Sequence, residues 1–193
     1  TAAQVMGEFQ RTKVIPEIDA YRYSKIASLC IAKERAGYEY TPTENDILKI
    51  AVIERHKNTH HIGLGYIKGY GLKRGAVATS ISHDSHNIIV VGTNSADMAF
   101  AANYIVEHHG GIVVVENGVV KGSVVLEIAG IMSDDSLVNV NRDLEAAKAA
   151  AYALGVSEGI DPFMTLSFMA LPVIPSLRIT TRGVFDVNSQ RYV

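Results

Sequence analysis

The sequence predicts an α+β domain in which helices pack on a mixed, largely antiparallel sheet of about five to seven strands. Short apolar runs typical of buried strands are separated by polar turns along most of the chain. A polar stretch around Asn58 and Thr59 is so short that it favours a hairpin between the first two runs. Two longer stretches place their apolar residues at helical spacing.

The first 46 residues differ in composition from the rest, and we treat them as an N-terminal helical arm or linker that precedes a domain of residues 47–193. Tyrosines and charged residues dominate part of this region, and Ile26, Leu29 and Cys30 lie at helical spacing. A helix near residues 19–36 that ends at Gly37 is therefore predicted. It could also serve as a docking helix.

Four strands and a helix are predicted in the first half of the domain. The strands cover residues 48–54, 62–67, 76–82 and 88–91. Asn94 or Ser95 is expected to cap a helix over residues 95–108, with Asp97 in the first turn, where the helix dipole favours an anion. The pair Gly110-Gly111 ends this helix.

The second half begins with a predicted hairpin. Strands 112–116 and 119–126 flank Asn117-Gly118, a dipeptide that tolerates positive φ at both positions of a type I′ turn. A second helix is predicted over residues 141–154, with a stripe that includes Leu144 and Ala151. The last forty residues are expected to be irregular, since three prolines exclude one long helix, with short strands near 177–180 and 184–187.

Composition narrows the function classes. The 193 residues carry a formal net charge of -2, so there is no large basic surface for nucleic acid. Cys30 is the only cysteine, which excludes an internal disulfide and fits a reducing compartment. No apolar run reaches the length that spans a bilayer, and the first residues do not resemble a signal peptide. The expectation is a cytoplasmic protein without a membrane partner.

A glycine-rich stretch between residues 63 and 75 does not match a nucleotide-binding loop. Lys68 and Arg74 stand where a dinucleotide fingerprint needs glycine, and the Gly-Lys-Ser/Thr of a P-loop is absent. The glycines can permit close backbone packing in twisted strands. Alternatively, this loop approaches a ligand, and Lys73 and Arg74 supply positive charge to it.

The strongest candidate site is the segment of residues 80–87, which we call the polar turn. It places His83, Asp84, His86 and Asn87 among serines, between two predicted buried strands. Polar groups in such a setting are hydrogen-bonded, bound to a metal or catalytic. Three interpretations stay open: a hydrogen-bonded turn, an incomplete metal site, and an acid-base or substrate contact. His56, at the end of the first strand, is either a polar strand end or a catalytic neighbour.

A family resemblance rests on long ordered strings of residues. Three segments resemble the C-terminal domain of bacterial and archaeal adenine deaminase: Ile53-Glu54-Arg55-His56, residues 58–82, and the run from His83 to Asn94. Residues 110–115, 129–133, 161–168 and 171–175 resemble it as well. The resemblance covers about residues 47–187, and strings of this length are far more specific than a short motif.

The resemblance implies a hydrolase of the amidohydrolase superfamily that converts adenine and water to hypoxanthine and ammonia. In that family a divalent metal, manganese or iron, is held by histidines and an aspartate on a (β/α)₈ barrel that precedes this domain. A barrel takes about 250 residues, and this chain has no His-x-His pair. We therefore expect no metal ligand and no cofactor in this chain, which would be a fragment, one module of a split gene product or a free-standing relative.

The resemblance also implies partners, and together with the polarity of the turn in its apolar setting it motivates a hypothesis about residue roles. A barrel-bearing deaminase domain, adenine or a related purine, and a homo-oligomer are the expected partners. His86, Asp84 and His83 are the candidate catalytic residues, in contact with purine nitrogens or a water. The candidate substrate-binding residues are His56, Lys73, Arg74 and Asn87. On this interpretation the chain alone is inactive; the alternative is a free-standing purine-binding or subunit-interaction module without catalysis.

Overall fold

The computed structural model describes residues 46–57 and 59–193, so the helix predicted near residues 19–36 lies outside the described residues. The elements follow in the order β1 (Ile47–Ile53), β2 (Ile62–Lys68), β3 (Ala76–Thr79), β4 (Ile88–Gly92), α1 (Ser95–Glu107), β5 (Gly111–Glu116), β6 (Val119–Val125), α2 (Leu137–Ala153), α3 (Pro162–Met169), β7 (Leu177–Thr180), β8 (Gly183–Asp186) and β9 (Arg191–Tyr192).

The first six strands form one sheet in the order β2-β1-β4-β3-β5-β6. Every neighbouring pair in it is antiparallel, including β1 with β2, as expected for a hairpin. A second sheet has the order β7-β8-β9. The α+β class predicted from the sequence is confirmed.

The register brings several loops to one end of the large sheet. Ile53, the last residue of β1, lies opposite Ile88 of β4, and Thr79, the last residue of β3, lies opposite Ile112 of β5. The residues that follow β1, the polar turn and the chain before β5 therefore lie together, at what we call the polar-turn end. The loop before β3 and the loop between β5 and β6 lie at the opposite end.

Both faces of the sheet are covered. Val113 and Val115 of β5 pack with Met98 and Ile105 of α1 in one apolar cluster. The alternate residues of the same strand point to the other face, where a second cluster contains side chains of α2, α3 and β7. This period of two is the pattern expected of a strand buried on both sides.

The chain passes from β5 to β6 through Asn117 and Gly118, with Glu116 opposite Val119. Both turn residues have positive φ, 54° and 69°. Within the described residues, no helix is long and apolar enough to cross a bilayer.

Two boundaries differ from the prediction by more than one residue. β3 ends at Thr79 rather than at residue 82, because hydroxyl groups replace the strand partners: the Thr79 hydroxyl accepts a hydrogen bond from the Ile81 N–H at 3.0 Å. The second helix begins at Leu137, four positions early, because Ser136 caps it by accepting a hydrogen bond from the Asn139 N–H.

The expected irregular C-terminal region contains the helix α3. Pro162 occupies its first turn, where a missing N–H costs no hydrogen bond. Asp161 caps it, and its carboxylate accepts hydrogen bonds from the backbone N–H groups of Phe163 at 3.0 Å and Met164 at 2.9 Å. The prolines exclude a long helix, and the structure shows that they permit this one of eight residues.

Candidate functional site

The polar turn joins the end of β3 to the start of β4 and is enclosed by two further segments. Arg55 and His56 follow β1 on one side, and the last turn of α3 supplies Ser167 and Phe168 on the other. The sequence brings polar groups here because β3 and β4 are apolar except for Thr79, whereas the residues between them carry polar side chains, which usually need hydrogen-bond partners when they are buried.

His86 is held by its backbone and by one ring nitrogen. Its N–H donates to the Ser82 carbonyl at 2.6 Å, and its Nδ1 accepts from the Ser82 N–H at 3.4 Å. Burial lowers the pKa of His86, as do the charges of His83, Arg55 and His56 in turn, while Asp84 opposes them. The hydrogen bond to Nδ1 thus assigns a neutral ring with its proton on Nε2. No hydrogen bond joins Nε2 to another described residue.

His83 lies beside His86 and is fixed by α3. Its N–H approaches both the carbonyl and the hydroxyl oxygen of Ser167 at 3.3 Å, and its ring stacks on Phe168 with centroids 5.3 Å apart. The two imidazole centroids are 6.0 Å apart. Asp84 lies 3.8 Å from the His83 Nδ1, and its side chain is 90% exposed, so the carboxylate is available to a ligand or another domain.

His56 and Asn87 belong to the same constellation. The His56 Nε2 lies 2.6 Å from the Ser85 carbonyl, so this ring supports the backbone of the polar turn. The Asn87 side-chain oxygen accepts from the Arg55 N–H at 3.2 Å. The structure therefore brings five of the seven candidate residues together.

Lys73 and Arg74 are not brought to this site. They precede β3 and so lie at the opposite end of the sheet. The Lys73 N–H donates to the Leu154 carbonyl at 2.9 Å, and the Arg74 guanidinium pairs with Glu116 and with the Ala153 carbonyl. The Lys73 backbone and the Arg74 guanidinium hold loops of that end, and β3 separates them from the polar turn.

A cavity of about 320 Å³ adjoins the polar turn. Its polar lining includes Asp84, Ser85 and Asn87 of the turn and Thr180 from the end of β7. Apolar walls come from β1, from β7 and from the loop after α3, and include Val52, Ile179 and Leu171. Small-molecule sites commonly combine apolar walls with a few polar groups in about this volume.

Two residues of the site, Glu54 and Arg55, were not singled out from the sequence. The Glu54 carboxylate is almost fully buried and accepts hydrogen bonds from the backbone N–H groups of His56 at 2.5 Å, Lys57 at 2.7 Å and Thr59 at 3.1 Å. Burial raises the pKa of Glu54, but these hydrogen bonds outweigh it and lower the pKa overall. A charged pair directly after a buried strand was the available signal.

The described residues contain no group of three or more His, Cys, Asp or Glu side chains that could hold a metal ion. The side chains of the polar turn therefore do not fit a metal site by themselves. What they offer is an imidazole donor, a carboxylate acceptor and a neighbouring cavity.

Comparisons with known proteins give a consistent match. The model of the adenine deaminase C-terminal domain matches residues 27–191, which begin within the region predicted to be an arm. Adenine deaminases of Bacillus licheniformis and Bacillus subtilis strain 168 are 48% and 51% identical over 86% and 80% of this chain. "Adenine deaminase 2" of Carboxydothermus hydrogenoformans is 44% identical over 96% of it. The matches span 29%, 27% and 32% of those relatives, between about a quarter and a third of their length.

Proposed function

This chain belongs to the adenine deaminase C-terminal domain family, and from that premise we propose that it is the module of an adenine deaminase that helps shape an active site held on another domain. The observation that carries the proposal is the state of His86. Its backbone and Nδ1 are bound within the polar turn, its Nε2–H has no hydrogen-bond partner among the described residues, and the carboxylate of Asp84, two positions before it, is exposed. A donor and an acceptor are thus both available at the polar turn.

This pair suits the reacting edge of adenine, where a ring nitrogen accepts a hydrogen bond beside an amino group that donates two. In the proposed complex the His86 Nε2–H donates to a purine nitrogen and Asp84 accepts a proton or hydrogen bond from the amino group or from the attacking water. The water oxygen forms a bond to the amino-bearing carbon, one proton of the water passes through Asp84 to the leaving amino group and the other reaches the ring nitrogen, and the carbon–nitrogen bond breaks with release of ammonia. His83 lies beside His86 and has its orientation fixed by Phe168.

The proposed module supplies binding and orientation, and the other domain supplies the divalent metal, manganese or iron. A bound metal provides an activated water at neutral pH. The described side chains do not fit such a site, so the roles given to the polar turn are limited to donating, accepting and excluding solvent.

Exposed apolar side chains near the polar turn support a covering partner. Phe168 stacks on His83 and is 39% exposed, and Ile128 and Met132 flank the loop that contacts Arg55, with 44% and 52% exposed. Apolar side chains grouped near an open polar site are typical of a surface that another protein surface covers. The proposed partner is the barrel-bearing part of the deaminase, with a second copy of the chain as a further candidate.

A second candidate function rests on the cavity beside the polar turn. Asn87 offers an amide within apolar walls, and a paired amide and purine edge can form two hydrogen bonds. On this alternative the chain binds a purine without catalysis. Adenine would then raise the melting temperature of the isolated chain in a saturable manner, and Asn87→Ala would abolish that rise.

A chimera tests the leading proposal. Residues 27–193 replace the matching domain of the Bacillus subtilis enzyme, and ammonia release from adenine is measured. In this chimera His86→Ala is expected to lower kcat by about 10²-fold with little change in melting temperature. His61→Ala is the matched control, because this imidazole is exposed at the same end of the sheet, and the contact of His61 with Glu54 uses its backbone carbonyl, which the change keeps. Normal kinetic constants for His86→Ala would reject the proposed role.

A further inference from the structure

Four residues with a Cβ adopt left-handed backbone conformations at the polar-turn end, namely His60, His86, His109 and Ala129, and one side chain holds the carbonyls of two of them. His86 has φ 47° and Ala129 has φ 56°. The carbonyl of His86 accepts from the Arg55 Nε–H at 2.5 Å, and the carbonyl of Ala129 accepts from the Arg55 Nη2–H at 2.6 Å. Left-handed residues other than glycine are uncommon, and they persist where the surrounding contacts fix them.

The guanidinium of Arg55 packs closely against Gly130. A Cβ atom built on Gly130 would lie 2.5 Å from Nη2 and 2.7 Å from Cζ and Nη1, so the guanidinium lies directly on this glycine. Gly130 is itself anchored, because its carbonyl accepts from the Ser80 hydroxyl at 2.5 Å. The planar group is therefore fixed between the polar turn and the loop that contains Ala129 and Gly130.

The backbone of Arg55 is fixed as well. Its N–H donates to the Asn87 side chain, so Arg55 contacts both of the last two residues of the polar turn. Two N–H groups in a rigid planar fork can hold two carbonyls at a set separation, which the single ammonium of lysine cannot reproduce.

We propose that Arg55 is a positioning residue, which sets the orientation of the His86 imidazole by holding the left-handed carbonyls of His86 and Ala129 in one fork. Arg55 does not itself touch the ligand. The inference rests on the proposed function for the consequence in catalysis, whereas its structural part concerns the ring of His86 alone and can be measured separately.

The structural part is tested by nitrogen NMR of the histidine side chains in the 193-residue protein, with the His86 signal identified by its loss in His86→Ala. In the unchanged protein His86 is expected to carry its proton on Nε2 and to titrate below 6.5. Arg55→Lys keeps the positive charge and removes the fork, so a mixture of tautomers and a titration closer to 6.5 are expected. Gly130→Ala keeps the arginine at position 55 but places a methyl group where its guanidinium lies, so the same change in the His86 signal is expected.

Arg74→Lys is the matched control, because Arg74 holds a carboxylate and a carbonyl at the opposite end of the sheet. It should leave the His86 signal unchanged. The signals of the other histidines report on whether each variant keeps its fold. An unaltered His86 tautomer and titration in folded Arg55→Lys and Gly130→Ala would overturn the proposal.

Kinetics in the chimera separate the two claims. Arg55→Lys is expected to lower kcat by about tenfold or more with a smaller change in KM, since a displaced group lowers the rate without being removed. If the His86 signal changes in the variants while kcat stays normal, Arg55 positions His86 and the proposed role of His86 in the deaminase is wrong. If neither changes, the positioning role itself is rejected.

Discussion

The two ends of the six-stranded sheet use their polar groups differently. At the opposite end, the Asp97 carboxylate is 3% exposed and accepts from the Asn94 amide at 2.9 Å and from the backbone N–H groups of Asn117 and Gly118 at 3.1 and 2.8 Å. Its own N–H donates to the Asn94 side chain. Each of these groups binds a partner within the domain, so this network fastens α1 to the loop between β5 and β6.

At the polar-turn end several groups stay open. The Nε2–H of His86 has no hydrogen-bond partner among the described residues, and the side chain of Asp84 is 90% exposed. The Ser82 hydroxyl is buried without a partner in the same part of the chain. An unpaired buried hydroxyl costs stability, and so calls for a functional explanation. The two ends therefore differ in whether their polar groups are paired within the domain. Paired groups mark the structural end, and unpaired groups mark the candidate site.

The largest expected effect is a difference in deaminase activity between the isolated domain and the chimera. The isolated 193-residue protein, supplied with adenine and manganese or iron, should release no ammonia above background, because activation of water at neutral pH needs a complete metal site. The chimera assayed in parallel should be active. Sustained turnover by the homogeneous isolated protein would show that the polar-turn end is a complete site by itself.

Asp97→Ala should cause the largest loss of stability. The change removes a buried carboxylate that accepts three hydrogen bonds, and a loss of about 3 kcal/mol in the free energy of unfolding is expected. Urea denaturation measures it. Asp143→Ala is the control, since its ion pair with Arg142 is exposed and should contribute little. A loss below about 0.5 kcal/mol for Asp97→Ala would show that the hydrogen bonds of Asp97 do not stabilise the opposite end of the sheet.

Glu54 has a structural role at the polar-turn end, because its carboxylate holds the loop that follows β1. In Glu54→Gln an NH₂ group replaces one acceptor and faces backbone N–H donors, so a loss of about 1–3 kcal/mol is expected at pH 7. Because folding lowers the pKa of Glu54, its contribution is complete above 4.5 and is lost as the pH falls through the folded-state pKa. Urea midpoints between pH 7 and 3.5 should fall less steeply for Glu54→Gln; parallel curves would contradict this account.

The smallest effect concerns the titration of His86. Its pKa is lowered in the folded state, so the unfolded chain binds the proton first, and stability should decrease as the pH falls from 6.5 through the folded-state pKa. The ring is only partly buried, so the slope will be shallow. His86→Asn should reduce this slope between pH 7 and 5.5 relative to the unchanged protein. An unchanged slope would show that His86 is not perturbed by its surroundings.

Much of the fold was predictable because it depends on local patterns. The apolar runs of β1, β4 and β5 and the capping by Asn94 are recorded in neighbouring residues. The helix α3 lies where the sequence predicts irregular structure, because prolines interrupt a long helix, although proline is well suited to a first helical turn. The predicted boundary between residues 46 and 47 stays a prediction.

The site was predictable only in its local part. His83, Asp84 and His86 lie within four residues of each other, so the sequence itself places them together. The contact of Arg55 with Ala129 joins residues 74 positions apart, and no local pattern records which loops meet at one end of a sheet. For the same reason Lys73 and Arg74 were grouped with the polar turn, although the direction of β3 places them at the other end.

The most direct test of the comparison measures kcat and melting temperature together for His86→Ala and Asp97→Ala in the chimera. The account predicts a kcat lower by about 10²-fold with a nearly unchanged melting temperature for His86→Ala. It predicts a melting temperature lower by several degrees with a nearly unchanged kcat for the Asp97→Ala enzyme that remains folded. If His86→Ala instead melts several degrees earlier and keeps the kinetic constants of the parent chimera, the polar turn is structural and the central claim is contradicted.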